Sequence, residues 1–378
     1  MLAESASGTF LATVLPAALF LGSAVSAAPD PGLVLASGKQ TAYAVTVAAS
    51  AAATERNAAT ELAAYLTKAT GATFTVGVPG PDQPRVAVGP DAALQVIPEL
   101  DLRRSRLGQD GYVVQTHGSD LVLSGATGSV RGTLYAVYDF LESEVGVRWW
   151  SSTEERVPQA DELRVGALDR TVIPVFPYRD ILYTDMQGKR EYGGPDVPLN
   201  MDRVRFAVRQ RVNGHCSHIT PEWGGYLELI GWCHTFYPLM PPERYFAEHP
   251  DWYSEANGKR FHEHGQLCMT NEDMLAELTR NVLAACRAKP SAGIVSVSQN
   301  DHIGNCQCAR CRELDAAEGS PSGSLLYGVN RVAEAVEKEF PDFLVETLAY
   351  QYTRRPPRTI RPRHNVIIRL SVIERSGV

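Results

Sequence analysis

The residues best suited to chemistry fall in short runs, each mixing a carboxylate, an amide, an imidazole or an aromatic ring. The richest is Ser298-Gln299-Asn300-Asp301-His302, where a carboxyl group able to give up a proton stands beside an amide. Others are Arg179-Asp180, then His215 and His218 leading to Pro221-Glu222-Trp223, then Trp232-Cys233-His234-Thr235-Phe236. Tyr350-Gln351-Tyr352 and Glu374 complete the set. Aromatic faces stack on pyranose C–H groups, and forked polar groups reach adjacent hydroxyls, so the mixture suits a sugar. Each residue also has a plainer use. Asp301 can cap a turn, and Arg179 and Asp180 can form a structural ion pair. His215 and His234 can be satisfied structural histidines, and Tyr350 and Tyr352, on one side of a strand, can pack in a core.

Such runs need strand ends to hold them together. After Pro174 and Pro177 the chain reads strand, loop, helix, repeatedly. Strands are expected at 178–184, 212–219, 266–269, 294–299, 343–350 and 366–372, with a long insertion at 220–263. Helices are expected at 201–211, from Asn271 onward with Glu272 and Asp273 in the first turn, and around Leu326, Val329, Val332, Val336 and Phe340. Alternation of this kind implies a parallel sheet with crossovers. The fold class is therefore α/β, with residues 169–378 an incomplete (β/α)₈ TIM barrel showing six strands of the eight that closure needs. In such barrels the active site lies at the C-terminal ends of the strands, which is where the runs above fall.

Ahead of it, residues 28–168 read as a small α+β accessory domain. A strand at 41–48 precedes a helix capped by Thr54, with Ala58, Leu62, Tyr65, Leu66 and Ala69 on one face and Gly71 as its stop. Strands at 85–89, 112–116 and 120–125 follow, the last two joined at His117-Gly118-Ser119. A second helix runs from Ser129 to Gly146, and Val147-Arg148-Trp149-Trp150 makes a last strand. No cluster of catalytic residue types occurs there, which leaves a packing or substrate-presenting role.

Net charge of −7 with interspersed signs excludes the basic face that nucleic acid calls for. Residues 10–28 are apolar, small and uncharged, and Val25-Ser26-Ala27 fits a signal-peptidase site, so residues 1–27 read as a signal peptide and the protein as secreted, periplasmic or cell-surface. The positive region that normally precedes such a run is missing, since Glu4 is the only charge there, and a retained anchor is the alternative. No later segment has the ~20 apolar residues that span a bilayer. Oligomeric state is not readable from the sequence.

Cys306-Cys308-Cys311 has the short spacing of a tetrahedral zinc site, with His302 or Cys268 as candidates for a fourth ligand. Disulfides, with Cys268 or Cys286 as partners, compete in an exported chain, and free thiols are the third reading. With seven cysteines, one at least stays unpaired within the chain. None of these uses is catalytic, and the sugar chemistry above requires no cofactor.

The run from Trp232 to Arg260, then Gln266-Leu267-Cys268, then the segment from Ser296 to Cys311 resembles the DUF4838 group, part of which forms glycoside hydrolase family 163. Residues 30–165 look like the accessory domain that precedes the barrel in α-glucuronidases and β-hexosaminidases. The resemblance implies a glycan substrate and a retaining, substrate-assisted β-N-acetylglucosaminidase. In that mechanism the 2-acetamido oxygen attacks the anomeric carbon while a carboxyl group protonates the leaving oxygen. It implies Asp301 as general acid, its pKa raised by partial burial, and Asn300 holding the acetamide or a hydroxyl. Related chitin-degrading barrels have two adjacent acids where this chain has Asn300-Asp301, so a non-catalytic glycan-binding protein is the rival reading. A hydrolase of uronic-acid glycans, with Arg179 at the rim, is a third. Substrate contacts then fall to Arg179, Asp180, His215, Trp223, His234, Tyr350 and Tyr352, and Glu222 and Glu374 are the spare carboxylates.

Overall fold

The computed structural model describes residues 32–189 and 197–371. Residues 1–27, read from the sequence as a signal peptide, and Glu374 lie outside them.

The N-terminal unit is built on a five-stranded mixed sheet. Its order is Ala44–Val47, Arg85–Val88, Asp120–Gly125, Tyr112–His117 and Asp169–Val172; the first three are parallel and the last two antiparallel. Alternate strand residues feed two cores, as the pleat requires. Val45, Val86, Val88, Val114, Leu121 and Leu123 meet the helices Ala53–Thr70 and Gly132–Phe140 on one face. Ala87, Val113 and Val122 meet Pro90–Val96 and Arg104–Leu107 on the other. The first helix buries Ala58, Leu62, Tyr65, Leu66 and Ala69 and ends at Gly71, whose φ of +70° is left-handed. Thr54 does not cap it. The cap position is Ala52, whose N–H donates to Glu55 Oε2 at 3.0 Å, and Thr54 is buried within the first turn. The second helix starts at Gly132, not Ser129, and finishes in a π-turn, Leu141–Val145, before Gly146.

In the second unit four strands run parallel, in the order Leu229–Ile230, Ile294–Ser296, Leu344–Ala349 and Val366–Leu370. Val295, Val297 and Val345 point outward onto the helices Glu272–Ala288 and Ser322–Glu339, which bring Leu275, Leu278, Val282, Val329, Val332 and Val336. Each such side chain contributes roughly 1.5–3 kcal/mol on burial. Ser296, Ser298, Glu346 and Arg369 take the opposite, inner face, as period two dictates.

Three of the expected strands are absent as strands. Residues 178–184, 212–219 and 266–269 make irregular backbone because side chains claim its polar groups: Asn213 Oδ1 accepts from Arg179 N at 2.7 Å, and Ser254 Oγ accepts from Gln266 N at 2.9 Å. The 3-10 turn His215–Ser217 and the left-handed His218 (φ +49°) also break any alternation. Even so, Asn213 N donates to the Arg179 carbonyl (2.9 Å) and Leu227 N to that of Asn213 (2.8 Å), so these segments extend the sheet's edge in order. The insertion begins later than expected, because Leu229–Ile230 is itself part of the sheet. Among the described residues no closed barrel forms.

The two units share a core. The helix Met201–Arg209 places Val204, Phe206 and Val208 in the first unit's cluster, and Asn200 Oδ1 caps it by accepting from Asp202 N and Arg203 N. A buried clamp locks the seam. Asp110 accepts from Arg131 Nε (2.5 Å), Arg179 Nη2 (2.6 Å) and Asn213 Nδ2 (2.8 Å).

Candidate active site

At the C-terminal ends of the parallel strands lies an open cleft of about 460 Å³. Asp301, five residues past the strand Ile294–Ser296, is exposed at its wall. Its Oδ1 accepts from the Tyr350 hydroxyl at 2.9 Å and from Gln351 Nε2 at 3.3 Å, both from just beyond the strand Leu344–Ala349. His234, Tyr237, His262, His264 and His302 line the same cleft. His234 Nδ1 sits 2.7 Å from the Gln299 carbonyl. A carbonyl only accepts, so that nitrogen carries a proton, and Nε2 is the ring nitrogen left to face other groups. His234, His264 and Gln351 all have left-handed backbone, with φ of +56°, +56° and +50°. Side chains rarely adopt it, at a cost on the order of 1–3 kcal/mol each, and such residues gather where function over-determines the backbone.

Behind this cleft the inner face of the sheet carries a second polar group. Arg369 Nε lies 2.9 Å from Glu346 Oε1, with Glu346 fully buried in the middle of its strand. Burial pushes the Glu346 carboxyl above its usual range, against the pull of Arg369, Ser296 and His215. Arg369 also donates to the Trp232 carbonyl and lies 5.8 Å from the centre of that ring. Asp180 Oδ2 accepts from Tyr178 Oη (2.7 Å) and faces His215 Nδ1 at 3.2 Å. Burial disfavours its charge, but the hydrogen bonds from His215, Tyr178 and Cys216 outweigh that and hold the carboxyl below the usual range. Gly214 makes room for Asp180, since a Cβ there would stand 2.1 Å from Asp180 Cγ.

The residues singled out in the sequence separate into groups. Asp301, Asn300, His234 and Tyr350 converge on the cleft; Asp180 and His215 belong to the inner cluster. Asn300 is tied to loop backbone: Nδ2 donates to the Gly265 carbonyl (2.9 Å) and Oδ1 accepts from Tyr237 N (3.4 Å). Arg179 is not at the rim. Its guanidinium is taken by Asp110, by the carbonyls of Arg211 and Phe176, and by the face of Tyr135. Trp223 is buried in the seam between the units, with Arg205 5.7 Å from its ring. Tyr350 and Tyr352 do not share a strand face: the strand ends at Ala349, and the 3-10 turn Gln351–Thr353 sends Tyr352 towards Asp315, Cys311 and Tyr237. Asp301 is exposed rather than partly buried.

Cys306, Cys308 and Cys311 are buried together with Cys268, and all seven cysteines are free of disulfides. Sequence reasoning passed over Glu346, Arg369, Tyr237, His262 and His264. Glu346 had a signal, a lone carboxylate inside the apolar run Leu344-Val345-Glu346-Thr347-Leu348-Ala349. His262 and His264 had none, because the end of the insertion and the residue after it show no periodicity.

The family model described as "Domain of unknown function (DUF4838)" matches residues 149–377, and that described as "Glycosyl hydrolase family 67 N-terminus" matches residues 34–140. No curated protein matches the chain. Among solved structures, a family GH115 4-O-methyl-α-glucuronidase with specificity for decorated arabinogalactans aligns at 14% identity and a TM-score of 0.45, over 89% of this chain and 45% of that one. This chain therefore spans less than half of that enzyme's length. A mutant Streptomyces plicatus β-hexosaminidase in complex with its product N-acetylglucosamine aligns at 13% identity and a TM-score of 0.35, over 92% of this chain and 68% of that one.

Proposed function

The chain belongs to the DUF4838 family, and from that membership and the cleft at the strand ends we propose that it is a glycan-acting hydrolase with Asp301 as its general acid. One observation carries the reading: an exposed carboxylate oriented by Tyr350 and Gln351 in an open cleft lined with imidazoles and a tyrosine. The substrate we favour is a glycan with β-linked N-acetylglucosamine. Its 2-acetamido oxygen attacks the anomeric carbon as Asp301 protonates the departing oxygen; water then opens the cyclic intermediate and returns a proton to Asp301. Bound sugar covers Asp301 and supplies the desolvation that the free cleft does not. His234 Nε2 is suited to hydrogen-bond a sugar hydroxyl. Asn300 is left out of the chemistry, since its amide holds the loop. We also read residues 1–27 as an export signal, which fits an extracellular glycan.

The test is release of N-acetylglucosamine-containing products from a complex N-glycan by the whole protein. Asp301→Asn keeps the Tyr350 and Gln351 side chains near an isosteric group and should lower turnover roughly 10²–10⁴-fold, the usual worth of a general acid. Equal turnover would remove Asp301 from the mechanism. Glycan affinity without turnover in the wild type would favour the binding-protein reading, which the single acid of the Asn300-Asp301 pair supports. The uronic-acid reading loses its main support, because Arg179 faces Asp110 instead of the cleft.

A further inference from the structure

We propose that Cys268, Cys306, Cys308 and Cys311 bind one zinc ion, and that this ion fixes the loop bearing Asp301 to the segment that follows the insertion. The argument is independent of the catalytic reading.

The four sulfur atoms lie within 4.8 Å of one another. Cys268 Sγ is 3.7 Å from Cys308 Sγ and 3.8 Å from Cys311 Sγ. A disulfide needs ~2.05 Å between sulfurs. Four thiolates placed tetrahedrally at ~2.3 Å from zinc stand ~3.8 Å apart, the spacing found from Cys268 to Cys308 and to Cys311. An iron–sulfur cluster spreads its ligands over several metal atoms and needs a wider cage than this. The separations therefore select a single ion with all-sulfur ligands, for which zinc is the common occupant.

Polar donors surround the sulfur atoms. Arg260 Nη1 approaches Cys306 Sγ at 3.7 Å, Thr270 Oγ1 lies 3.1 Å from Cys311 Sγ, and the Cys308 N–H is directed at the Cys306 sulfur. Such donors are what second-shell groups bring to metal-bound sulfur. Cys308 stands at the N-cap position of the ten-residue helix Ala309–Glu318, and Cys311 lies in its first turn, where the helix dipole favours negative charge. All four cysteines are nearly inaccessible to solvent, the most exposed being Cys308 at 8%. Several thiolates buried side by side repel one another, and a divalent cation in their midst removes that cost.

The ligands come from separate segments. Cys268 follows the insertion, and Cys306-Gln307-Cys308 ends the loop that begins at Asn300-Asp301. Arg260 belongs to the ribbon Glu255–Ala256 and Lys259–Arg260, and is ion-paired to Glu255 at 3.1 Å. One bridge, Gly265 to Gly304, and the Gln266 side chain already join the same two segments. The ion closes the joint from below the cleft. Metal coordination also protects the four thiols from oxidation outside the cell.

The test is metal analysis of the purified full chain. We expect about one zinc per chain, released on modifying the thiols, and cobalt substitution giving thiolate-to-metal charge-transfer absorption with tetrahedral d–d bands. Cys268→Ser and Cys311→Ser should lower the zinc content at least several-fold, while Cys286→Ser and Cys216→Ser leave it unchanged. Cys308→His keeps a ligand and should retain zinc, which separates loss of coordination from loss of folding. Four free, titratable thiols that take up no zinc from excess Zn²⁺ would overturn the proposal. So would mass-spectrometric detection of a disulfide joining any two of the four in freshly purified protein.

Discussion

Replacing Asp110 by Asn tests the clamp between the two units. The wild-type carboxylate receives Arg131 on one oxygen, and Arg179 and Asn213 on the other. The Arg131 side chain is 5% exposed and that of Arg179 21%. The amide keeps the shape but removes the charge, and its NH₂ must point at one of the donors. Two effects compete. A lost neutral hydrogen bond costs about 1 kcal/mol. A buried charge left without its partner costs about 3–5 kcal/mol, and here two guanidinium groups lose theirs. The second effect should dominate, giving a loss of about 3–5 kcal/mol from a total stability on the order of 5–15 kcal/mol. Urea unfolding followed by tryptophan fluorescence measures it, and Trp149 and Trp223 both lie in the shared core. Asp110→Leu combined with Arg131→Met should recover part of the loss, because it removes charge and countercharge together. A loss under about 1 kcal/mol for Asp110→Asn would mean that the clamp acts like a solvated surface pair, and the account of a locked seam would be wrong.

Other perturbations follow from the same geometry. Gly214→Ala forces Asp180 to move, because the new methyl would stand 2.1 Å from its carboxyl carbon; we expect a loss of about 1–3 kcal/mol, read as a lowered Tm, and an unchanged Tm would contradict the packing described. Asp180 holds its proton more weakly when folded than its ordinary value of 3.8. Its contribution to stability is therefore present above that value and is lost as pH falls through and below it. Urea midpoints of Asp180→Asn should accordingly depend less on pH below about 4 than those of the wild type, and parallel curves would refute the assignment.

The helices were legible because a stripe of apolar side chains at spacings of three and four has one place to go. Leu275, Leu278 and Val282 bury as that spacing requires, and so do Leu62 and Leu66. The strands Ile294–Ser296, Leu344–Ala349 and Val366–Leu370 were visible as apolar runs for the same reason. Residues 178–184, 212–219 and 266–269 misled because apolar content records burial, not whether a neighbouring side chain has captured the backbone donors. The two residues of Leu229–Ile230 are too few to show a period at all. At the site, Asp301, Tyr350 and His234 were found by residue type at strand ends. Arg179 and Trp223 have the same types but turn into the seam, a choice made by Asp110 and Arg205 at distant positions in the chain. The pairing of Glu346 with Arg369 needs the strand register, which composition does not contain.

The side chain of Gln266 stands in for a missing stretch of backbone. Its Oε1 accepts from Asn300 N at 2.8 Å, and its Nε2 donates to the carbonyls of Asn300 (3.0 Å) and His302 (2.6 Å). One amide thus reproduces the alternating donor and acceptor of a peptide unit in a strand partner. The position consequently discriminates on chemical grounds between residues of nearly equal size. Glutamate would confront two carbonyl oxygens with a third acceptor, and methionine would leave the Asn300 N–H and the His302 carbonyl without partners, at ~1–3 kcal/mol apiece. The wall of the cleft next to Asp301 is therefore rigid without belonging to any sheet, and whatever adaptation a bound molecule demands must come from the facing side, around Tyr237 and His262.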